Sequence, residues 1–240
     1  MASQLLLLST STVHGSGYLD YCADQVAEFL GSVQQVLFIP YARPSGISHA
    51  DYTRRAQERF AAMGLELTGI EAAADARAAV RQADALFVGG GNTFLLLREL
   101  YATGLPELIR QRVMAGMFYM GASAGSNVAG LTIGTTNDMP VVFPPSLDAL
   151  GLVPFNINPH YIDPDPKTTH RGETRDTRIN EFHVFNEQPV VALREGAWLR
   201  VGDGSVRLEG SGGARLFRPG VDSVELAPGA SLNPLVGTGQ

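Results

Sequence analysis

Four short apolar runs constrain this chain most: Leu5-Leu6-Leu7-Leu8, Val36-Leu37-Phe38-Ile39, Ala85-Leu86-Phe87-Val88 and Met117-Phe118-Tyr119-Met120. None alternates with charged residues, so each reads as a strand buried on both faces. Segments of helical period lie between them, at about 18–30, 51–63 and 74–81, with a further strand at 65–70. Strands alternating with helices are βαβ units, and such strands pack in a parallel sheet with helices on both faces. The expected fold is therefore three-layer α/β/α with a mostly parallel central sheet, whose ligands sit beyond the carboxyl ends of the strands. From Val190 onward short runs separated by Gly-rich turns, such as Gly202-Asp203-Gly204, read as antiparallel β hairpins at one side of the same domain. With 240 residues and neither repeat nor linker, the chain reads as one domain over 1–240, fraying from about 232.

The charge balance narrows the partners. A net charge of -6, with no run of Lys or Arg, argues against a nucleic-acid surface. The single cysteine, Cys22, has no partner for an internal disulfide and reads as a helix packing residue in a reducing compartment. Residues 1–4 lack a basic leader, and the apolar run at 5–8 is too short for a signal peptide or a membrane span. The expectation is a soluble, cytoplasmic protein that works without a membrane, and its oligomeric state is open between monomer and homodimer.

The last apolar run leads straight into Gly121-Ala122-Ser123-Ala124-Gly125. Strand, Gly-x-Ser-x-Gly and a small-residue helix start form the layout of a nucleophile elbow, which holds the serine hydroxyl out above the sheet. The N–H of Ala124 would then face a developing oxyanion. The bland alternative is a glycine-rich βα turn used only for packing.

A serine hydroxyl needs a base within hydrogen-bond reach, usually a histidine oriented by a carboxylate. Of five histidines, His14 and His49 fall in loops, and His183 falls in an expected helix at 175–185. His160 closes Asn156-Ile157-Asn158-Pro159-His160 at an expected strand end, and His170 competes with it. For the carboxylate, Asp138 lies between serine and histidine, and Glu195 in Leu193-Arg194-Glu195-Gly196 is the rival; sequence order does not choose. A second glycine cluster, Gly89-Gly90-Gly91-Asn92-Thr93, lacks the Gly-Lys-Ser/Thr ending of a phosphate loop and the dinucleotide fingerprint. It fits a second oxyanion donor, the N–H of Gly91. No metal-ligand spacing occurs, so no ion or other cofactor is expected.

Taken together, the motifs resemble those of the S51 serine peptidase family, whose members include aspartyl dipeptidases. They are Leu5-Leu6-Leu7-Leu8-Ser9, Phe38-Ile39-Pro40, Gly89-Gly90-Gly91-Asn92-Thr93-Phe94, Ser123-Ala124-Gly125, Thr135-Thr136-Asn137-Asp138-Met139-Pro140, Ile157-Asn158-Pro159-His160, Gly172-Glu173-Thr174-Arg175 and Glu195-Gly196-x-Trp198. The resemblance runs from about 5 to about 201. It implies a cofactor-independent peptidase that removes N-terminal aspartate from small peptides by way of an acyl-enzyme, on a fold akin to the class I glutamine amidotransferase domain. Carried over motif by motif, Ser123 is the nucleophile, His160 the base and Asp138 the orienting acid, with Gly91 and Ala124 as the oxyanion hole. A glutamate matching Glu195 has also been considered as the third member in this family; Asp138 is preferred here for its closeness to the serine helix.

Preference for aspartate needs a cation, and Arg175 in the segment 170–175 can grip a carboxylate through two parallel bonds. The expected substrate contacts are Asn92, His170 and Arg175. Ala122 stands where the family often has tryptophan and Ser126 where alanine is common, which puts pocket width in doubt. The rival readings are a cyanophycinase-like β-aspartyl peptidase, an α/β-hydrolase esterase, whose histidine normally comes later in the chain, and a non-catalytic binding domain on the same fold.

Overall fold

The computed structural model describes residues 3–33, 35–167, 169 and 172–236. The described strands are, in chain order, β1 (Leu5–Leu8), β2 (Gln35–Ile39), β3 (Glu66–Gly69), β4 (Ala85–Val88), β5 (Phe118–Ala122), β6 (Asn156–Asn158), β7 (Val190–Leu193), β8 (Ala197–Gly202), β9 (Ser205–Gly210), β10 (Ala214–Arg218) and β11 (Val221–Leu226). They form a seven-stranded sheet in the order β3-β2-β4-β5-β1-β8-β9 and a four-stranded sheet in the order β11-β10-β7-β6. The first five strands of the large sheet are parallel, and β8 closes against β1 antiparallel.

Because successive strand residues point to opposite faces, the uninterrupted apolar runs supply two cores at once. Leu6, Leu8, Phe38, Phe87 and Met120 pack with α1 (Ala23–Leu30) and α2 (His49–Ala62) through Val26, Phe29, Tyr52 and Phe60. Leu5, Leu7, Ile39, Leu86, Val88 and Tyr119 face the other way. They pack with α3 (Ala76–Gln82), α4 (Thr93–Ala102), α5 (Pro106–Met114) and α6 (Ala124–Asn127). All four leucines of β1 have no exposed surface, and burying each contributes about 1.5–3 kcal/mol, an upper estimate because unfolded chains already hide some area. The three-layer α/β/α expectation thus holds, with a mostly parallel central sheet.

The smaller sheet shares this core, since Ile157, Val191, Leu193 and Ala214 pack in the same cluster as Leu5 and Leu7. Here the structure corrects the reading of the carboxyl-terminal half. Strand β7 forms no hairpin with β8; it pairs parallel with β6 and antiparallel with β10. The turn Arg194-Glu195-Gly196, with Gly196 at φ +82°, passes the chain from one sheet to the other. Only β8–β9 and β10–β11 are the anticipated hairpins.

Other differences are local. The helix expected from about 18 opens as a 3-10 turn, Asp20–Cys22, because Leu19 takes φ +57°. Helix α5 was not anticipated, although Pro106 at its first turn is a recognised start signal. Helix α7 (Arg175–Phe182) ends one residue before His183. Fraying does not begin at Leu232, which is buried and whose N–H donates to the Val206 carbonyl at 2.8 Å; α8 (Asn233–Val236) follows. No helix among the described residues is long and apolar enough to cross a membrane.

Candidate active site

Strand β5 ends at Ala122, and the next residue takes a conformation that no strand or helix would give it. Ser123 has φ +55° and ψ −112°, a sparsely populated state that costs about 1–3 kcal/mol and persists only where surroundings enforce it. The flanking glycines show how. A Cβ on Gly121 would meet the Gly125 carbonyl, and a Cβ on Gly125 would collide with the Val88 carbonyl of β4. From below, Ser123 N–H donates to the Leu8 carbonyl at 3.1 Å, and the carbonyls of Leu8 and Gly121, at 2.7 and 2.8 Å from Ser126 Oγ, share its single hydroxyl proton. Ser126 and Ala122 are fully buried, so neither departure from the family pattern sets the width of a pocket. Although Ser123 occupies the N-cap position of α6, its hydroxyl makes no capping bond and is left for other work.

The glycine loop after β4 runs beside the elbow. Its amides are committed in turn: Gly89 N–H to the Ile39 carbonyl at 3.0 Å, Gly90 N–H to Tyr52 Oη at 3.0 Å and Asn92 N–H to the Ala42 carbonyl at 2.7 Å. The Gly91 N–H, at φ +148°, donates to no described residue. Gly90 approaches so closely that a Cβ there would stand 3.0 Å from the Cβ of Ser123. Ala124, as first residue of α6, has no acceptor in its own helix. With four residues α6 adds little dipole, so the two uncommitted amides themselves are what the site offers an oxyanion.

His160 Nε2 lies 2.9 Å from Ser123 Oγ, and His160 Nδ1 lies 2.7 Å from Glu195 Oε1. A carboxylate only accepts, so Nδ1 carries the proton toward Glu195 and Nε2 is left to accept from the serine hydroxyl. The topology explains the meeting. Strands β6 and β7 are parallel neighbours, with Asn158 opposite Ala192, so two residues past each strand end bring the imidazole and the carboxylate face to face. Tyr161 N–H donates to the Leu193 carbonyl at 2.9 Å and continues that register. His160 sits at φ +54°, and Ser9 holds it there: Ser9 Oγ accepts from His160 N–H at 3.0 Å and donates to the Leu193 carbonyl at 2.8 Å.

Asp138, expected beside His160, is placed elsewhere. Its Oδ2 accepts from Thr93 N–H at 2.7 Å, Thr93 Oγ1 at 2.6 Å and Thr136 Oγ1 at 3.2 Å. Closeness in sequence to the serine misled, because the loop after α6 folds over the start of α4 and its carboxylate caps that helix. Asn92 is similarly engaged: its Oδ1 accepts from Leu95 N–H at 3.0 Å and its Nδ2 donates to the Met139 carbonyl at 2.8 Å. Both ends of the amide are tied into the scaffold, with one Nδ2 proton left over.

Arg175 opens α7 and lines a cleft of about 380 Å³ with Ile162, Asp163, Thr174 and Arg178. Desolvation and then the neighbouring Arg178 lower its guanidinium from the ordinary value, while Asp138 opposes them; an anion arriving there would relieve that penalty. His170 and Arg171 lie outside the described residues. The other histidines are accounted for: His183 Nε2 donates to the Gln188 carbonyl at 3.0 Å, His49 begins α2 beside Tyr41, and His14 borders a cleft on the Trp198 side of Glu195. The buried Cys22 thiol is pushed up to about 12, chiefly by desolvation, which makes it a packing residue and no nucleophile.

An uncapped serine on a strained elbow, bonded to a carboxylate-backed histidine, is the arrangement of a serine hydrolase. The sequence profile of peptidase family S51 matches residues 5–209. The chain belongs to peptidase family S51. It is 50% identical over 232 residues to the peptidase E of Streptomyces coelicolor, covering 97% of this chain and 94% of that one. It is 47% identical over 238 residues to the "Probable alpha-aspartyl dipeptidase" of Drosophila melanogaster, covering 98% of each. The crystal structure of a peptidase from an acI-B1 Actinobacterium superposes with a TM-score of 0.73 over 97% of each chain at 17% identity, which attests the fold. As a member of S51 the protein is a serine-type peptidase acting on peptides.

Two features of this site depend on pairings distant in sequence. Ser9 gives no sign of its role in the sequence, because only the packing of β1 between β5 and β8 brings it to residue 160. Glu195 reaches His160 because β6 pairs with β7, which sequence order does not reveal.

Proposed function

We propose that the chain hydrolyses peptides that begin with aspartate, chiefly dipeptides, through a seryl acyl-enzyme. Ser123 Oγ attacks the carbonyl carbon of the first residue while His160 Nε2 takes the hydroxyl proton. The carbonyl oxygen becomes the oxyanion and accepts from Gly91 N–H and Ala124 N–H. Collapse of the tetrahedral intermediate breaks the C–N bond, and His160 returns the proton to the leaving amine. Water then gives a proton to His160 as its oxygen adds to the acyl carbon, and collapse breaks the ester C–O bond, His160 returning that proton to Ser123 Oγ as the aspartate leaves. Glu195 holds the imidazole in the tautomer that accepts from Ser123 and stabilises the imidazolium formed in each half.

The observation that carries this reading is the unbroken chain from Ser123 Oγ to His160 to Glu195, at 2.9 and 2.7 Å. The aspartyl preference is supported by the name of the Drosophila relative and by Arg175, whose desolvated guanidinium suits a bidentate grip on a β-carboxylate. A single buried, unpaired cysteine suits work in the reducing cytoplasm.

The test is release of chromophore from aspartyl, glutamyl, asparaginyl and alanyl p-nitroanilides, with chelator present and Ser123→Ala as control. Cleavage of the aspartyl compound alone, absent in Ser123→Ala, is expected, and Arg175→Met should erase the preference. Cleavage that survives Ser123→Ala, or no cleavage of the aspartyl compound, would overturn the proposal, the second outcome pointing to β-aspartyl linkages or a binding role.

A further inference from the structure

Arg194 immediately precedes Glu195, and its side chain reaches back to Asp163, three residues past His160. Nε and Nη2 meet Asp163 Oδ2 and Oδ1 at 2.7 and 2.8 Å, and Nη1 and Nη2 meet Glu225 Oε1 and Oε2 at 2.5 and 2.9 Å. One planar guanidinium therefore serves two carboxylates, each through a pair of bonds. It also lies over the Tyr161 ring, 5.6 Å from its centroid. Tyr161 Oη in turn donates to Asp176 Oδ1 at 2.5 Å, and Asp176 Oδ2 accepts from Arg215 Nη1 at 2.9 Å. The lattice ties together the segment after His160, the turn bearing Glu195, both strands of the β10–β11 hairpin and helix α7.

The triad has a reason to need such a tie. The Glu195 side chain is 51% exposed and that of His160 37%, so their bond competes with water, and an exposed pair of this kind is weakly held on its own. Both residues sit past strand ends, and His160 has a positive φ. Their separation is fixed by the backbones that carry them, and Arg194–Asp163 is a direct ion pair between those two backbones, alongside the bridge that Ser9 Oγ makes between His160 N–H and the Leu193 carbonyl. Bidentate geometry within a network is the circumstance in which a surface ion pair does hold position. Burial agrees, since the Arg194 side chain is 21% exposed against 52% and 58% for its two partners.

We propose that Arg194, bridging to Asp163, is a positioning residue for the triad, setting the distance and angle between Glu195 and His160. This rests on Glu195 orienting His160, as argued above. A misplacement of about 1 Å in such a constellation costs up to about a hundredfold in rate.

The test uses the full-length enzyme on aspartyl p-nitroanilide, with Arg194→Gln, Asp163→Asn, Glu195→Gln and the double variant Arg194→Gln/Glu195→Gln. Arg194→Gln should lower kcat about ten- to hundredfold with KM little changed, and Asp163→Asn should act in the same direction. The double variant should be no slower than Glu195→Gln, because placing a carboxylate that is no longer there has no effect. A merely structural role would give losses that multiply in the double variant, or a rise in KM, and either result overturns the proposal. If Arg194→Gln does not fold, Asp163→Asn and its combination with Glu195→Gln carry the same comparison. Slow Glu195→Gln with both single clamp variants at the wild-type rate overturns the clamp alone. Glu195→Gln at the wild-type rate overturns the role of Glu195 and the clamp with it.

Discussion

The backbone N–H of His160 donates to the Oγ of Ser9 at 3.0 Å, across 151 residues of sequence. Ser9 is fully buried and spends its own hydrogen on the Leu193 carbonyl. One hydroxyl thus joins the end of β1, the end of β7 and His160. Ser9→Ala leaves a buried carbonyl and the histidine amide without that partner, an expected cost of about 1–3 kcal/mol. Because His160 is held at a positive φ, kcat should fall by about tenfold or more while KM stays near wild type. Thermal unfolding and steady-state kinetics on the same preparation check both. Unchanged kcat would show that the imidazole does not depend on this tie.

Glu195 and Asp138 should fail in different ways. Asp138 Oδ2 accepts from two donors of Thr93 at the start of α4 and from Thr136 Oγ1 in its own loop, so Asp138→Asn is expected to destabilise by about 1–3 kcal/mol. Glu195 is half-exposed, so Glu195→Gln should leave the unfolding temperature close to wild type. Its kcat should nonetheless drop by about a hundredfold or more, because an amide no longer fixes the imidazole tautomer. Calorimetry and kcat on both variants decide it; a rate loss without a stability loss in Asp138→Asn would return the orienting role to that residue.

Gly90 gives a graded probe of the nucleophile. An added Cβ would stand 3.0 Å from the Cβ of Ser123 and 3.2 Å from the Ala122 carbonyl, tight enough to displace the serine by a few tenths of an ångström. Gly90→Ala should fold and lose activity. Gly125→Ala, whose Cβ meets the Val88 backbone and has nowhere to move, should fold poorly. Circular dichroism and active-site titration with a fluorophosphonate distinguish the two.

The Arg194 lattice also predicts an acid lability. Hydrogen bonds from Arg194 lower Asp163 from its usual 3.8 and Glu225 from its usual 4.5. Groups lowered on folding contribute stability that is fully present above their unfolded values and lost as pH falls through the lowered ones. Unfolding temperature should therefore be flat with respect to this lattice above about pH 5 and decline below about pH 4. In Asp163→Asn the decline should be shallower, and an identical acid profile would show that the pair is not coupled to folding.

The large sheet was legible because its parallel strands are buried on both faces, which forces uninterrupted apolar runs such as those at 5–8 and 85–88. The elbow was legible for a different reason: only glycine tolerates the carbonyls that press on positions 121 and 125. What was hidden depended on pairing across long stretches of chain. Val190-Val191-Ala192-Leu193 looks the same whether it hairpins with the next run or pairs with residues 156–158, and that choice decides whether Glu195 or Asp138 reaches the histidine. Arg194 gave no signal either, since a lone arginine at a turn differs from any other solvated charge until its two carboxylates are brought up from 163 and 225.

The placement of β1 between β5 and β8 has a consequence during synthesis. Strand β1 cannot acquire its second neighbour until residues 197–202 have emerged from the ribosome, and contacts so distant in sequence form late. Ser9, Ser123, His160 and Glu195 are therefore assembled only once residue 195 and strand β8 are available. A nascent chain that stops short of residue 160 carries the serine on its elbow without the imidazole, and one that stops short of 195 lacks the carboxylate, so the proposed triad is complete only when β7 and the turn after it are in place.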